Sequence, residues 1–222
     1  FLIYEHNQFI GHYYKIIENQ SVVYGDLVDS KIWQGDQKSS SLLKQFLTDL
    51  GFDIEGLVQG YDDYPLTLAW GETVPLFYLP QAQTQRLIIL GIPRSRHEKI
   101  YDMQETLVRL GQTLVEFCEK QEKMFSIIFS GDLSHTHIEN GPYGYDPSSK
   151  EFDKLVQNWS KNLEQEIFDE ILKLQKNALA CGMSGISMIN GIADKYKLSI
   201  KSSYYDLPTY FGMIVNHWEI NT

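Results

Sequence analysis

Short apolar runs closed by Gly or Ser alternate along this chain with stretches whose large apolar residues recur every three to four positions. That alternation leaves few architectures open. Strands built mostly of Leu, Ile and Phe need cover on both faces, and helices with a single apolar stripe need something to lie on. An α/β fold with a central sheet flanked by helices meets both needs. Strands are expected at Phe1–Tyr4, in part of Lys15–Tyr24, and at Gly56–Gln59, Leu87–Gly91, Phe125–Ser130, Ser199–Tyr205 and Phe211–Trp218. Helical stripes run from Leu42 to Leu50, from Met103 to Cys118, without a break from Leu155 to Leu174, and from Ser184 through Ile192.

With 222 residues, 43% of them hydrophobic, the chain can bury a sizeable core. It has no internal repeat and no Pro-, Gly- or Ser-rich linker, so a single domain over 1–222 is expected. Phe1-Leu2-Ile3-Tyr4 reads as the interior of a buried strand and carries no initiator Met, so a further N-terminal segment is expected before it. Asp and Glu number 29 against 19 Lys and Arg, a formal charge of −10 that repels polyphosphate and anionic lipid surfaces. Neither nucleic acid nor a membrane is therefore an expected partner. Cys118 and Cys181, the two cysteines, cannot build a disulfide framework, and such sparse use of thiols suits a reducing, cytoplasmic setting.

In open α/β sheets ligands collect beyond the carboxyl ends of strands. Two loops occupy such places: Ser130–His137, which continues into Gly141–Pro147, and Glu5-His6-Asn7 after the first strand. Gly131 permits a sharp turn that brings Asp132 and His135 to one crevice. The pair suits acid–base work, with His135 exchanging a proton and Asp132 fixing its tautomer, while on the residues alone a turn-capping Asp132 and a plain loop histidine are the commoner reading. Arg94, Arg96 and His97 could bind an acidic group or simply be solvated. Asp26, Asp62 and Asp63 read as turn residues, Tyr143 and Tyr145 as loop-shaping groups, Cys118 as part of an apolar stripe, and His12, His137 and His217 as surface or structural histidines.

Ser130-Gly131-Asp132-Leu133-Ser134-His135, then Gly141-Pro142-Tyr143-Gly144-Tyr145, then Phe152-Asp153 resemble the signature of the class III extradiol ring-cleavage dioxygenases. The closest type is the catalytic subunit, typified by the protocatechuate 4,5-dioxygenase β subunit. Ile3-Tyr4-Glu5-His6, Gly25-Asp26-Leu27, Gly71–Leu76, Ala178–Gly182 and Tyr210–Val215 fall in order on further motifs of that family. The resemblance implies the family's fold and a non-heme ferrous ion, Fe(II), held by two histidines and a glutamate. It also implies dioxygen insertion into a catechol- or aminophenol-like ring, as in the catabolism of aromatic compounds. By the same resemblance His135 matches the acid–base histidine and His6 the second metal histidine, while the first metal histidine would precede Phe1.

Two family positions are altered. The glutamate's place is taken by Ala180, and an Asp-His pair by Ala69-Trp70. A methyl group cannot coordinate a cation, so the resemblance leaves three readings. One is a dioxygenase with a rearranged ligand set, recruiting a carboxylate such as Glu5. The second is a metal-free subunit, its crevice plugged by Trp70, that assembles with an active homologous subunit or as a homodimer. The third is a protein of the Memo branch of this superfamily, in which the cysteine before Gly, here Cys181, binds the metal in the absence of the glutamate. A buried, inert Cys181 and a strand-end His6 bonded to backbone stay open beside these roles.

Overall fold

The computed structural model describes residues 1–17, 24–57, 64–92 and 102–221. It has the α/β class expected from the alternation, in two compact units, 1–95 and 96–222. Among the described residues no helix is long and apolar enough to cross a membrane.

In the first unit β1 (Leu2–Tyr4) pairs in parallel with β4 (Glu55–Leu57) and antiparallel with β7 (Leu90–Gly91). A second sheet runs in the order β5 (Leu66–Thr67), β2 (Gln8–Ile17), β3 (Tyr24–Gly35), β6 (Arg86–Leu87). The strand expected over Leu87–Gly91 is thus split between two sheets. Leu87 serves one and Leu90 the other, and the Ile89 carbonyl between them accepts from the Tyr4 N–H at 3.0 Å. Asp26 lies in the β2–β3 ladder opposite Lys15 and not in a turn. Helix α1 (Gln37–Asp49) starts where the Asp36 carboxylate accepts the Ser39 N–H at 3.0 Å, an ordinary N-cap. Helix α2 (Trp70–Tyr78) has no counterpart in the periodicity, because Pro75 and Gly71 blur its stripe. Phe9, Trp33, Leu66, Leu68, Leu76, Ala82 and Ile89 close the core of this unit.

The second unit consists of α3 (Gln104–Glu119), α4 (Ser148–Asn162), α5 (Gln165–Ala178), α6 (Met183–Lys195) and the hairpin of β8 (Leu198–Asp206) with β9 (Met213–Ile220). The stripe from Leu155 to Leu174 is two helices. Leu163 adopts φ 57°, a left-handed cap that ends α4 while its N–H still bonds the Trp159 carbonyl, so the apolar period carries on through a chain reversal. Phe125–Ser130 belongs to no strand. Phe125 meets the ring of Phe117, Phe129 packs on the core, and Ile127 and Ile128 are exposed, so two anchors four residues apart fix an extended segment that has no ladder among the described residues. The core here gathers Phe152, Val156, Trp159, Phe168, Ile171, Met183, Ile186 and Ile189 around Leu133 and Ala180.

Helices α3 and α6 run at backbone contact. A Cβ on Gly111 would stand 2.0 Å from the Met188 carbonyl oxygen, and one on Gly191 2.0 Å from that of Val108. Ala is worth about 1 kcal/mol over Gly in a helix, whereas forcing two packed backbones apart costs about 1–3 kcal/mol or more. With a backbone overlap as close as 2.0 Å the cost lies at the upper end of that range, so Gly111→Ala is expected to destabilise the chain by about 2 kcal/mol, while Gly71→Ala, with open space around it in α2, should be neutral or stabilising. Urea unfolding of both variants checks the opposite signs, and equal midpoints would remove the close helix contact.

Candidate functional site

The Ser130–Pro147 segment is irregular, yet tightly fastened. His135 N–H donates to the Ala178 carbonyl at the end of α5, the Thr136 hydroxyl to that of Asn177, and the Ser134 hydroxyl to that of Ala178. On the other side the Ser149 hydroxyl and the Asp146 N–H both donate to the Thr136 carbonyl, and a bridge joins His137 to Tyr145. These bonds, made on both sides of the loop, give a chain without regular structure one geometry.

Gly131 and Gly182 bring this loop against the α5–α6 junction. A Cβ on Gly131 would lie 2.5 Å from the Gly182 Cα, a distance only two glycines allow. The Gly182 N–H donates to the Asp132 carbonyl at 2.8 Å, and the Asp132 N–H donates to Cys181 Sγ at 3.1 Å. One ligand atom each from Asp132, His135 and Cys181 then fall within 4.8 Å of one another. His135 Nε2 stands 3.5 Å from Asp132 Oδ2, beyond a normal hydrogen bond, and is buried without a hydrogen-bond partner.

Electrostatics and walls agree with this grouping. Burial disfavours the imidazolium of His135, but the Asp132 carboxylate and the Cys181 sulfur outweigh it and raise the histidine to about 9. Tyr143, Tyr210 and Phe211 wall the ring, with centroids 5.1, 6.1 and 5.9 Å from that of His135. Burial, followed by the charge of its neighbours, pushes the Tyr210 phenol up. Tyr143 is therefore a wall of the site as well as a loop-shaping residue. Tyr210 and Phe211 were visible in sequence only as part of a glycine-containing motif.

The separation of His135 from Asp132 suits two ligands of one metal ion. Two ligands about 2.1 Å from one tetrahedral ion lie about 3.4 Å apart, close to the 3.5 Å between His135 and Asp132. The carboxylate and the sulfur are donors for iron, copper or zinc, and the imidazole beside them can serve as a ligand or as a proton carrier. Ala180, by contrast, is buried inside the apolar cluster, where a carboxylate would be costly.

The remaining candidates lie in the first unit or outside the described residues. His6 is buried, its Nδ1 lies 2.9 Å from the Gln8 carbonyl oxygen and 3.3 Å from the Gln8 nitrogen, and its Nε2 has no hydrogen-bond partner. The shorter contact, to a carbonyl that can only accept, favours the proton on Nδ1 and the lone pair on Nε2, the tautomer of a metal-binding histidine. Glu5 is engaged elsewhere: Lys44 pairs with it and the Ser41 hydroxyl donates to it at 2.6 Å, and together they overcome burial to hold its carboxyl below the usual range. Its recruitment as a substitute ligand would break that pair. Trp70 is 55% exposed at the start of α2 and fills no core. Of the histidines read as surface or structural, His12 bonds the Ser30 hydroxyl, His217 is exposed and His137 is buried. Arg94, Arg96, His97, Asp62 and Asp63 lie outside the described residues.

Residues 33–216 match the family model described as the catalytic LigB subunit of aromatic ring-opening dioxygenase. The chain is also similar to Protein CA_C1420 of Clostridium acetobutylicum, 29% identical over 138 residues. That alignment covers 60% of this chain but only 28% of the relative, so the chain spans little more than a quarter of the relative's length.

Burial pushes the Cys118 thiol on α3 up to about 11, with Glu119 adding to the effect. A free cysteine, at about 8.5, is far more ionised at pH 8, where Cys118 is thiolate in only about one part in a thousand. Iodoacetamide should therefore label Cys118 at least about 100-fold more slowly than free cysteine at pH 8. The rate should climb about tenfold per pH unit up to pH 10, read by peptide mass spectrometry. A plateau below pH 9.5 would contradict it.

Proposed function

This chain belongs to the family of the catalytic LigB subunit of aromatic ring-opening dioxygenases, and from that membership we propose that it is a metal-dependent, dioxygen-using protein acting on a catechol- or aminophenol-like ring. Cys181 supplies the anionic ligand that Ala180 cannot. The observation that carries this reading is the convergence of Asp132, His135 and the Cys181 sulfur within 4.8 Å, beside an aromatic wall. The family match runs across the boundary near residue 95, which supports treating both units as parts of one family domain. Both cysteines are free thiols, in keeping with a cytoplasmic setting.

Cys181 and Asp132 are the residues of this group suited to hold a metal, and within the first unit His6, whose Nε2 has no hydrogen-bond partner, keeps the donor atom that the resemblance assigns to it. A bound ferrous ion supplies the electron transfer that lets dioxygen react with an aromatic ring. The protein's own contribution is local. His135 Nε2 holds or releases the proton exchanged with a ring hydroxyl, and the Asp132 carboxylate stabilises the ring nitrogen when it is charged. Tyr143, Tyr210 and Phe211 offer faces and edges against which a flat substrate packs and from which water is displaced.

The test is metal analysis of protein purified without oxygen, together with oxygen uptake on catechol and 2-aminophenol. Near-stoichiometric iron or copper that falls at least tenfold in Cys181→Ala supports the reading. His135→Ala should keep metal and lose about 10²- to 10⁴-fold in turnover. A wild-type protein that holds no metal and takes up no oxygen would instead favour the non-catalytic subunit, and unchanged turnover in His135→Ala would remove that residue from the chemistry.

A further inference from the structure

Asp153 lies on α4, is not one of the metal-suited residues and is 1% exposed, yet its carboxylate is shared among three donors, two from the His135 loop and one from β8. Oδ1 accepts the Ser134 N–H at 3.0 Å. Oδ2 accepts the His137 Nε2–H and the Tyr205 hydroxyl, each at 2.8 Å. Ser134 and His137 bracket His135 in the loop. A fourth contact is steric: a Cβ on Gly212 would stand 1.9 Å from Asp153 Oδ2, so only a residue without a side chain lets β9 begin here. Gly212 in turn exchanges two backbone hydrogen bonds with the loop, its carbonyl accepting from Leu133 at 2.9 Å and its N–H donating to Ser134 at 3.0 Å. The residues just before it are Tyr210 and Phe211, the wall of His135.

We infer that Asp153 is the positioning residue of this site, a buried carboxylate that fixes the His135 loop and the Tyr210–Phe211 wall against each other. A buried carboxylate is costly unless every oxygen is bonded, and here each donor belongs to an element that shapes the site. A core that needed only packing at this position would be better served by an apolar side chain. The inference rests on the ring-cleavage reading for the kinetic part of its test and on geometry alone for the rest.

Hydrogen exchange and oxygen uptake test it on the full chain. Asp153→Asn keeps the size of the side chain and removes its charge. The Leu133 and Ser134 amides should then exchange at least about tenfold faster, with the amides of α3 and α6 unchanged. Turnover on catechol should fall about 10- to 100-fold, with KM within about twofold. Tyr205→Phe removes one donor and leaves the carboxylate in place, so it should give a smaller change confined to the same two amides. This variant decides the matter should Asp153→Asn fail to fold. Unchanged exchange at Leu133 and Ser134 in both variants overturns the role, and so does a uniform rise that includes α3 and α6, the mark of a merely stabilising residue. A wild-type chain inactive on catechol and aminophenol would sink the ring-cleavage reading, while the exchange data would still judge Asp153.

Discussion

The site depends on two stretches of backbone running in contact, the Gly131–His135 loop and the Leu179–Gly182 junction between α5 and α6. No side chain intervenes where Gly131 meets Gly182. Peptide groups therefore do the joining: Gly182 N–H to Asp132 carbonyl, Asp132 N–H to Cys181 sulfur, His135 N–H to Ala178 carbonyl. Each such bond is worth about 1 kcal/mol net, so the set matters less as stability than as geometry. It makes the positions of Asp132, His135 and Cys181 properties of the main chain, and main chain bonded on both sides moves little. A side chain at either glycine would separate the segments by more than the few tenths of an ångström that a metal or a proton transfer tolerates.

Charge then follows from placement. His135 is largely withdrawn from water, and burial alone would lower its affinity for a proton. Its affinity is raised, to about 9, because a carboxylate and a sulfur stand on the side of Nε2 that no hydrogen bond occupies. The pocket thus accumulates features that attract a positive charge, whether a proton or a metal ion.

Much of this was legible in the residues. The pairing of Asp132 with His135 followed from Gly131 and a spacing of three, whereas Cys181 entered only through the family resemblance, as the cysteine before Gly182. What could not be read was tertiary. Nothing local distinguishes Leu163 at φ 57° from any helical leucine, so the break between α4 and α5 was hidden inside an unbroken stripe. Phe125–Ser130 has the composition of a buried strand, but a strand needs a neighbour to bond, and the pattern does not say whether one is present. His137 looked idle for the same reason: its partner Asp153 is 16 residues away on a helix, and only the folded loop makes them a pair.

Leu179 shows how the fold trades local comfort for the site. It closes α5 at φ 53°, a conformation that costs a side-chain-bearing residue about 1–2 kcal/mol, and its N–H bonds the Gln175 carbonyl at 3.1 Å. The reversal it makes turns the chain so that Ala180 enters the apolar cluster while Cys181, one residue on, meets Asp132. Had residue 180 carried a carboxylate, this same reversal would have placed that charge among Phe152, Trp159 and Ile186. The alanine and the left-handed leucine are therefore parts of one arrangement, in which an apolar side chain at 180 joins the core and the sulfur at 181 faces the Asp132 backbone.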